Sequence, residues 1–309
     1  MVLEQSLEAF ELSSTYDKIF SVRTSRNYAE KLTALSAMDG FAPVGENGSH
    51  PKTDMTEVFS KTFEHMTWKS SFSISREMVD DSKLDLMRLR ASKFVQDYGR
   101  KREMFAGALL GGATGSSITF GGKKFNTLCA DDKPMFSAAH PNFYNAKKTQ
   151  SNLFAGDFTE DTLAELETRM QNFLGDKDEI LGIIPDTIII PNSGKMKRKF
   201  MEVVGSEFKD QGNSTGFNFQ YGGWNFIVWN YLPNTIAGKE YFMLLDSKKN
   251  QNTYAMPFLD RVKLTTDSHK DTNTGAHVYT GRARFIAGFA KWNSIAIAGD
   301  SLADATALL

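Results

Sequence analysis

The sequence is poor in the residues that usually carry chemistry. It has a single cysteine, Cys129, which forms no internal disulfide framework and suits a reducing compartment. Its five histidines (His50, His65, His140, His269 and His277) are scattered, with no zinc-finger or metalloprotease spacing, so no metal and no cofactor is expected. Nucleotide-binding phrases are missing too. "GGKK" at 121–124 has neither the upstream glycine nor the following Ser/Thr of a phosphate loop, and no G-x-G-x-x-G or G-x-S-x-G occurs. A net charge of −1 argues against a protein that grips nucleic acid by a strong positive field. No apolar run is long enough to span a membrane, and no apolar segment follows a charged start. A soluble chain without an enzymatic signature is the expectation.

What is abundant is aromatic surface, 12% of the residues with 24 phenylalanines, on a chain long enough for one large domain or two smaller ones. Residues 1–40 carry only a weak helical pattern at Leu7, Phe10 and Ile19 and read as an arm. "GFAPVGENGSHPKTD" is rich in turn formers, with Asn47-Gly48 and His50-Pro51 as tip candidates. In the following "MTEVFSKTFEHMTWKSSFSIS", Met66, Trp68, Phe72 and Ile74 alternate onto one side, and Phe59 and Phe63 lie on the other. Residues 41–76 thus read as a two-stranded excursion, apolar on both faces. A lone hairpin is marginal in water, so it needs a second surface; an ordinary sheet hairpin fits the pattern equally.

Residues 82–110 form the clearest helix, roughly 40 Å long at 1.5 Å per residue. Ser82 and Asp85 stand at capping-box spacing, Gly111-Gly112 stops the run, and Met87, Ala91, Phe94, Tyr98, Phe105 and Leu109 trace its apolar stripe. Arg88, Arg90, Lys93, Arg100, Lys101 and Arg102 occupy the opposite side, a solvated face with nucleic-acid contact as the alternative. Asp80-Asp81 complement the positive helix start rather than forming an acid–base pair. Further on come a short strand near 118–128 and a helix capped by Thr159 with Leu163, Leu166, Met170 and Phe173 inside. A buried strand ending at Pro191 leads to a helix capped by Ser193, then a hairpin around Gly222-Gly223 and a strand "EYFMLLD". A loose loop at 267–276 precedes one closing strand or a pair. The order implies an α+β fold with two subdomains.

"KPMFSAAHPNFYN" at 133–145 raises the question of a reactive centre. Cys129, His140 and Asn142 have the residue types of a thiol nucleophile, its base and its orienter, and a cysteine/histidine hydrolase is the reading to test. All three, however, lie on one short link ending in proline, whereas such triads draw on separate rigid elements. The structural reading has His140 held extended before Pro141, its ring bonded to nearby backbone and Phe136 anchoring the loop.

The order of these phrases resembles a family. "KTFEHMTWKSSFSISREMVDDSKLDLMRLRASKFVQDYGRKREMFAGALLGG" resembles the loop-return and spine-helix region of tailed-bacteriophage major capsid proteins. "LCADDKPMFSAAHPN" and "LAELETRMQNFLGDKDEILGIIPDTIIIPNSGKMKRKF" are similar to segments of the Mu-like major head subunit group, and the likeness spans about residues 57–205. It implies the Hong Kong 97-like phage capsid fold, divided as an N-terminal arm (1–40), an extended loop (41–76), a peripheral domain (77–157) with spine helix 82–110, an axial domain (158–262) and return strands of the peripheral domain (263–309).

The implied function is assembly. Copies form pentamers and hexamers of an icosahedral head around double-stranded DNA, contacted non-specifically, in a virion built in the host bacterial cytoplasm. No membrane is involved. A separate scaffold protein, a portal and a decoration protein are the implied partners, since the family-like region leaves no room for a helical N-terminal scaffold segment. Candidate intersubunit contacts are Phe59, Phe63, Trp68, Lys61, Glu64, Arg88 and Arg100. Excising Glu46–Met66 is expected to leave the subunit folded and to abolish closed shells. An encapsulin-type nanocompartment shell is the alternative on the same fold.

Overall fold

The structure, a computed structural model, describes residues 14–302 apart from 37, 39, 40, 42, 47, 51, 53, 54, 211–214 and 301. Helix α1 (Tyr16–Ile19) leads into strand β1 (Ser21–Thr24). Strands β2 (Ala29–Leu35) and β3 (Glu57–Glu64) pair as an antiparallel hairpin, and β4 (Met66–Ile74) follows after the single residue His65. Helices α2 (Arg76–Asp80) and α3 (Leu84–Gly111) come next, then the hairpin β5 (Ser117–Phe120) and β6 (Lys123–Asn126). Strand β7 (His140–Pro141) pairs with β8 (Thr149–Gln150), and β9 (Leu153–Ala155) precedes α4 (Glu160–Gln171). There follow β10 (Thr187–Pro191), α5 (Gly194–Val203), the ribbon β11 (Phe208–Asp210) and β12 (Thr215–Phe217), β13 (Asn225–Trp229), β14 (Tyr241–Leu245) and α6 (Ser247–Thr253). Strands β15 (Pro257–Lys270), β16 (His277–Ala287) and β17 (Ile295–Gly299) close the order.

Two sheets organise the α+β fold, one ordered β1-β15-β16-β4 and one ordered β13-β10-β14-β17-β9. In the first, β4 turns its even-numbered residues toward α3. Trp68 stacks on Phe285 at 4.9 Å and lies 5.4 Å from Phe105, while Phe72 meets Phe94 at 5.1 Å. The central strands of the second sheet, "TIIIP", "YFMLL" and "IAIAG", are buried at every residue. They do not alternate because both faces are covered. Leu163, Leu166 and Met170 of α4 and Met196 and Phe200 of α5 cover Ile188, Ile190, Phe242 and Leu244. On the other face Ile189, Met243, Leu245 and Ile297 join the core that holds Phe105 and Leu109 of α3. Each such side chain contributes about 1.5–3 kcal/mol when fully buried. The fit of α3 is tight at Gly107, where a Cβ would stand 2.5 Å from the Tyr231 carbonyl oxygen, so only glycine admits this approach.

Several sequence expectations are corrected. The excursion is built from β2 and β3, so one of its strands lies in the segment read as an arm, and β4 belongs to the first sheet instead. Excision of Glu46–Met66 would therefore remove Val58 and Phe63, both buried. Ser82 makes no capping box: it has φ +54° and Lys83 is the N-cap of α3, while Ser75 caps α2 by accepting from Met78 N. Thr159 caps α4 as expected. The turn at Gly222-Gly223 joins no hairpin, because β12 pairs with β11 and β13 runs parallel to β10. The expected loop at 267–276 takes in the end of β15, and the boundary at 262/263 falls inside that strand. Strand β17 enters the second sheet rather than returning to the first. The patterns at Leu7 and Phe10 and the tip residues Asn47 and Pro51 lie outside the described residues.

Candidate functional site

The 129–145 stretch is a structural clasp. Cys129 is buried, its Sγ lies 3.3 Å from Met135 Sδ, and burial pushes its thiol well above the usual range, with Asp131 adding to the effect. A thiol held protonated and away from water is no nucleophile. His140 is buried as well. Its Nδ1 lies 2.7 Å from Asp131 Oδ2, its Nε2 lies 3.2 Å from Asn152 Oδ1, and its ring stacks on Trp292 at 4.5 Å. The partners are thus side chains, not the nearby backbone expected from sequence.

Asn152 is the residue sequence reasoning missed. Its Nδ2 donates to the carbonyls of Met135, Ile295 and Trp292 at 2.8, 3.1 and 3.3 Å, and its Oδ1 accepts from Ser137 N at 3.0 Å. An asparagine in a polar loop gives no sequence signal of such a position. Asn142 completes the clasp by donating to Gly175 O and Asp176 O at 3.2 and 3.0 Å. Among the described residues, no group of three or more His, Cys, Asp or Glu stands close enough to hold a metal.

The remaining candidates lie on the β2–β3 hairpin and α3. Phe63 is buried over Gly288, where an added Cβ would come within 2.7 Å of its ring, and Trp68 belongs to the core around Phe105. Both were expected at an intersubunit surface; β3 carries Phe63 back along the core before turning at His65, and β4 packs the partly buried Trp68 against that core from within the first sheet. Phe59 rests edge-on against Phe143 at 5.1 Å, and Thr56 Oγ1 lies 2.6 Å from the Tyr144 hydroxyl. Lys61 donates through Nζ to the Leu128 carbonyl, and burial lowers its pKa. These contacts hold the root of the hairpin against the 128–144 segment. A cleft of about 220 Å³ lies beneath it, lined in part by Leu32, Val58, Asp176, Lys291 and Asn293.

Glu64 is exposed. So are Arg88, 4.0 Å from Asp85, and Arg100, paired with Asp97. Toward the tip, Leu35, Met38, Phe41, Val44 and Met55 are exposed, and the first turns of α3 expose Leu84, Leu86 and Leu89.

The second half of α3 carries two buried charges. Arg102, read from sequence as part of a solvated basic face, points inward. It binds Asp260 through both terminal nitrogens at 2.8 and 2.7 Å and donates to the hydroxyls of Tyr98 and Tyr16. Beside it, Glu103 accepts from Tyr16 N at 3.2 Å and Trp229 Nε1 at 2.7 Å. Helix α3 thereby fastens α1, β13 and β15 together.

A family model described as phage capsid protein matches residues 59–298. No curated protein matches the sequence. Among solved structures, the capsid of Myoviridae phage XM1 is similar at TM-score 0.54 and 11% identity, covering 92% of this chain and 90% of that one. A Mycobacterium phage Bobi structure is similar at TM-score 0.52 and 16% identity, covering 93% and 89%. The SrpI encapsulin complex from Synechococcus elongatus is similar at TM-score 0.53 and 10% identity, covering 94% of both chains. At these identities the likeness establishes the fold, the Hong Kong 97-like capsid architecture. With a family match over most of its length and that fold around it, the chain belongs to the phage capsid protein family.

Proposed function

We propose that this capsid shell protein is the major head subunit of a tailed phage, assembling as pentamers and hexamers into an icosahedral head around double-stranded DNA. The observation that carries the proposal is the apolar surface the subunit leaves uncovered. Leu35, Met38, Phe41, Val44 and Met55 toward the hairpin tip, and Leu84, Leu86 and Leu89 on α3, are exposed together in one chain. Burial of these side chains between copies would favour association. In this reading the hairpin is the extended loop, the first sheet with α3 the peripheral domain, and the second sheet the axial domain. Phe59, Lys61, Glu64, Arg88 and Arg100 remain the proposed contacts to neighbours, with scaffold, portal and decoration proteins as partners in a virion assembled in the host cytoplasm.

Replacing residues 38–54 with a short Gly-Ser turn tests the reading while sparing β2 and β3. A folded subunit with a cooperative melt and no closed shells in negative-stain microscopy is expected. Shells from that variant would show that the loop is not the clamp, and an unfolded subunit would place the tip in the core. The whole-chain likeness to an encapsulin favours a second reading, a nanocompartment shell. Particles purified from the native source with an enzyme inside and no phage DNA would select it.

A further inference from the structure

The chain turns from the hairpin into the first sheet at one residue, His65, which is 8% exposed. Its Nε2 lies 2.7 Å from Ser25 Oγ, and the Ser25 hydroxyl donates to Glu30 Oε1 at 2.7 Å. The serine oxygen therefore accepts the Nε2 proton, and Nδ1 is left with a bare lone pair. That Nδ1 is buried and has no hydrogen-bond partner. On the adjoining strand Arg284, opposite Thr67 of β4, has a buried Nε that is likewise without a partner. Arg261 stands at the β15 bulge, where Val262 pairs with Arg284.

Neither arginine forms an ion pair among the described residues. Of the carboxylates that act on His65, Asp260 is bound by Arg102, and Glu30 accepts from Ser25 and Asn27 without an ion pair to either arginine. After burial, Arg284 and Arg261 are the strongest influences disfavouring the charged form of His65, ahead of Glu30 and Asp260 acting the other way. The corner thus carries two guanidinium charges that no carboxylate pairs with among the described residues.

We propose that this corner receives a carboxylate side chain from a second copy of the chain. The inference rests on the capsid reading above. A guanidinium presents planar, forked donors that match an oxyanion, and two of them flank a ring whose free nitrogen becomes a further donor once protonated. The partner is the chain itself by charge complementarity. Exposed Glu57, Glu64, Asp161 and Glu202 form no ion pair among the described residues. A shell of identical copies brings such surfaces together, and the guanidiniums at the hairpin root gain a carboxylate partner on assembly.

Carbodiimide coupling tests this directly. In shells assembled from mixed nitrogen-14 and nitrogen-15 copies of the Arg284→Lys variant, the new amine should form an amide with an Asp or Glu of another copy. Mass spectrometry should find the mixed-isotope peptide in shells and not in unassembled subunits. Arg261→Lys provides the same readout where Arg284→Lys fails to fold. Arg284→Glu should lower shell yield more than tenfold with an unchanged subunit melt. Shells in which neither introduced amine joins another copy overturn the inference alone, whereas failure of the unmodified chain to form shells removes the capsid reading and this inference with it. A guanidinium reagent that labels Arg284 in DNA-free shells as fast as in subunits, but not in DNA-filled shells, assigns the corner to phosphate and also overturns the proposal.

Discussion

Replacing Arg102 with methionine removes the cation at the centre of the subunit while filling most of its volume. The Arg102 and Asp260 side chains are 5% and 6% exposed and joined by paired contacts of 2.8 and 2.7 Å. Burial disfavours the guanidinium charge, but the Asp260 hydrogen bond and the nearby negative charge outweigh it, so Arg102 is held more firmly protonated than a free arginine. Burial also pushes the Tyr16 phenol up to about 12, against the pull of Arg102, leaving that hydroxyl an acceptor for the guanidinium.

In Arg102→Met the Asp260 carboxylate stays buried with neither oxygen bonded to a cation. Breaking a buried pair from one side costs about 3–5 kcal/mol. Against a typical total of about 5–15 kcal/mol that is a large fraction, and at about 2–4 °C per kcal/mol the melt should fall by about 6–20 °C. Adding Asp260→Leu should restore stability to within about 1–2 kcal/mol of the parent, because the stranded charge is gone. Urea and thermal unfolding of unassembled subunits, followed by tryptophan fluorescence, measure both. A loss below about 1 kcal/mol in Arg102→Met, well under the range for a broken buried pair, would refute this reasoning. So would a double variant as unstable as the sum of the two single ones.

His65 is kept below its ordinary value of 6.5, first by burial and then by Arg284 and Arg261. Its contribution to stability is therefore complete above that value and lost as pH falls toward its lower folded value; urea midpoints should show this acid limb, and His65→Gln should flatten it. Substituting His140 with alanine leaves Asp131 Oδ2 without its ring partner and removes the Trp292 stack, costing about 1–3 kcal/mol in the melt while leaving an assembly-competent subunit. Cys129 should resist alkylation in the folded subunit and react on unfolding; prompt native-state labelling would contradict its burial.

Elements with a clean period were legible in the sequence. Helix α4 reads directly from Thr159 to Met170, and the unbroken apolar runs of β10 and β14 follow from a sheet covered on both faces. Strand β15 was missed because bulges at Asp260/Val262 and Val262/Thr265 break its alternation and its outer half is solvated. Strand β2 was missed because its partner lies across a long turn-rich connection, and no local pattern announces that pairing. The inward turn of Arg102 was invisible for a related reason. An arginine on a basic helix face looks solvated until Asp260, far along the chain, is brought beside it. The clasp at His140 depends likewise on Trp292 and Asn152, which spacing alone does not bring together.

The position of β17 has a consequence for synthesis. Residues 295–299 lie between β14 and β9, inside the second sheet, and β1 of the first sheet waits for residues 257–260. Neither sheet closes until those residues have been made, so their long-range pairings are slow to form. A product that stops before Ile295 lacks a strand from the middle of a sheet and leaves Tyr241–Leu245 without its antiparallel neighbour on that side. A copy truncated there is expected to fail at the folding step, before it could enter a shell in which its misfit would touch every neighbour.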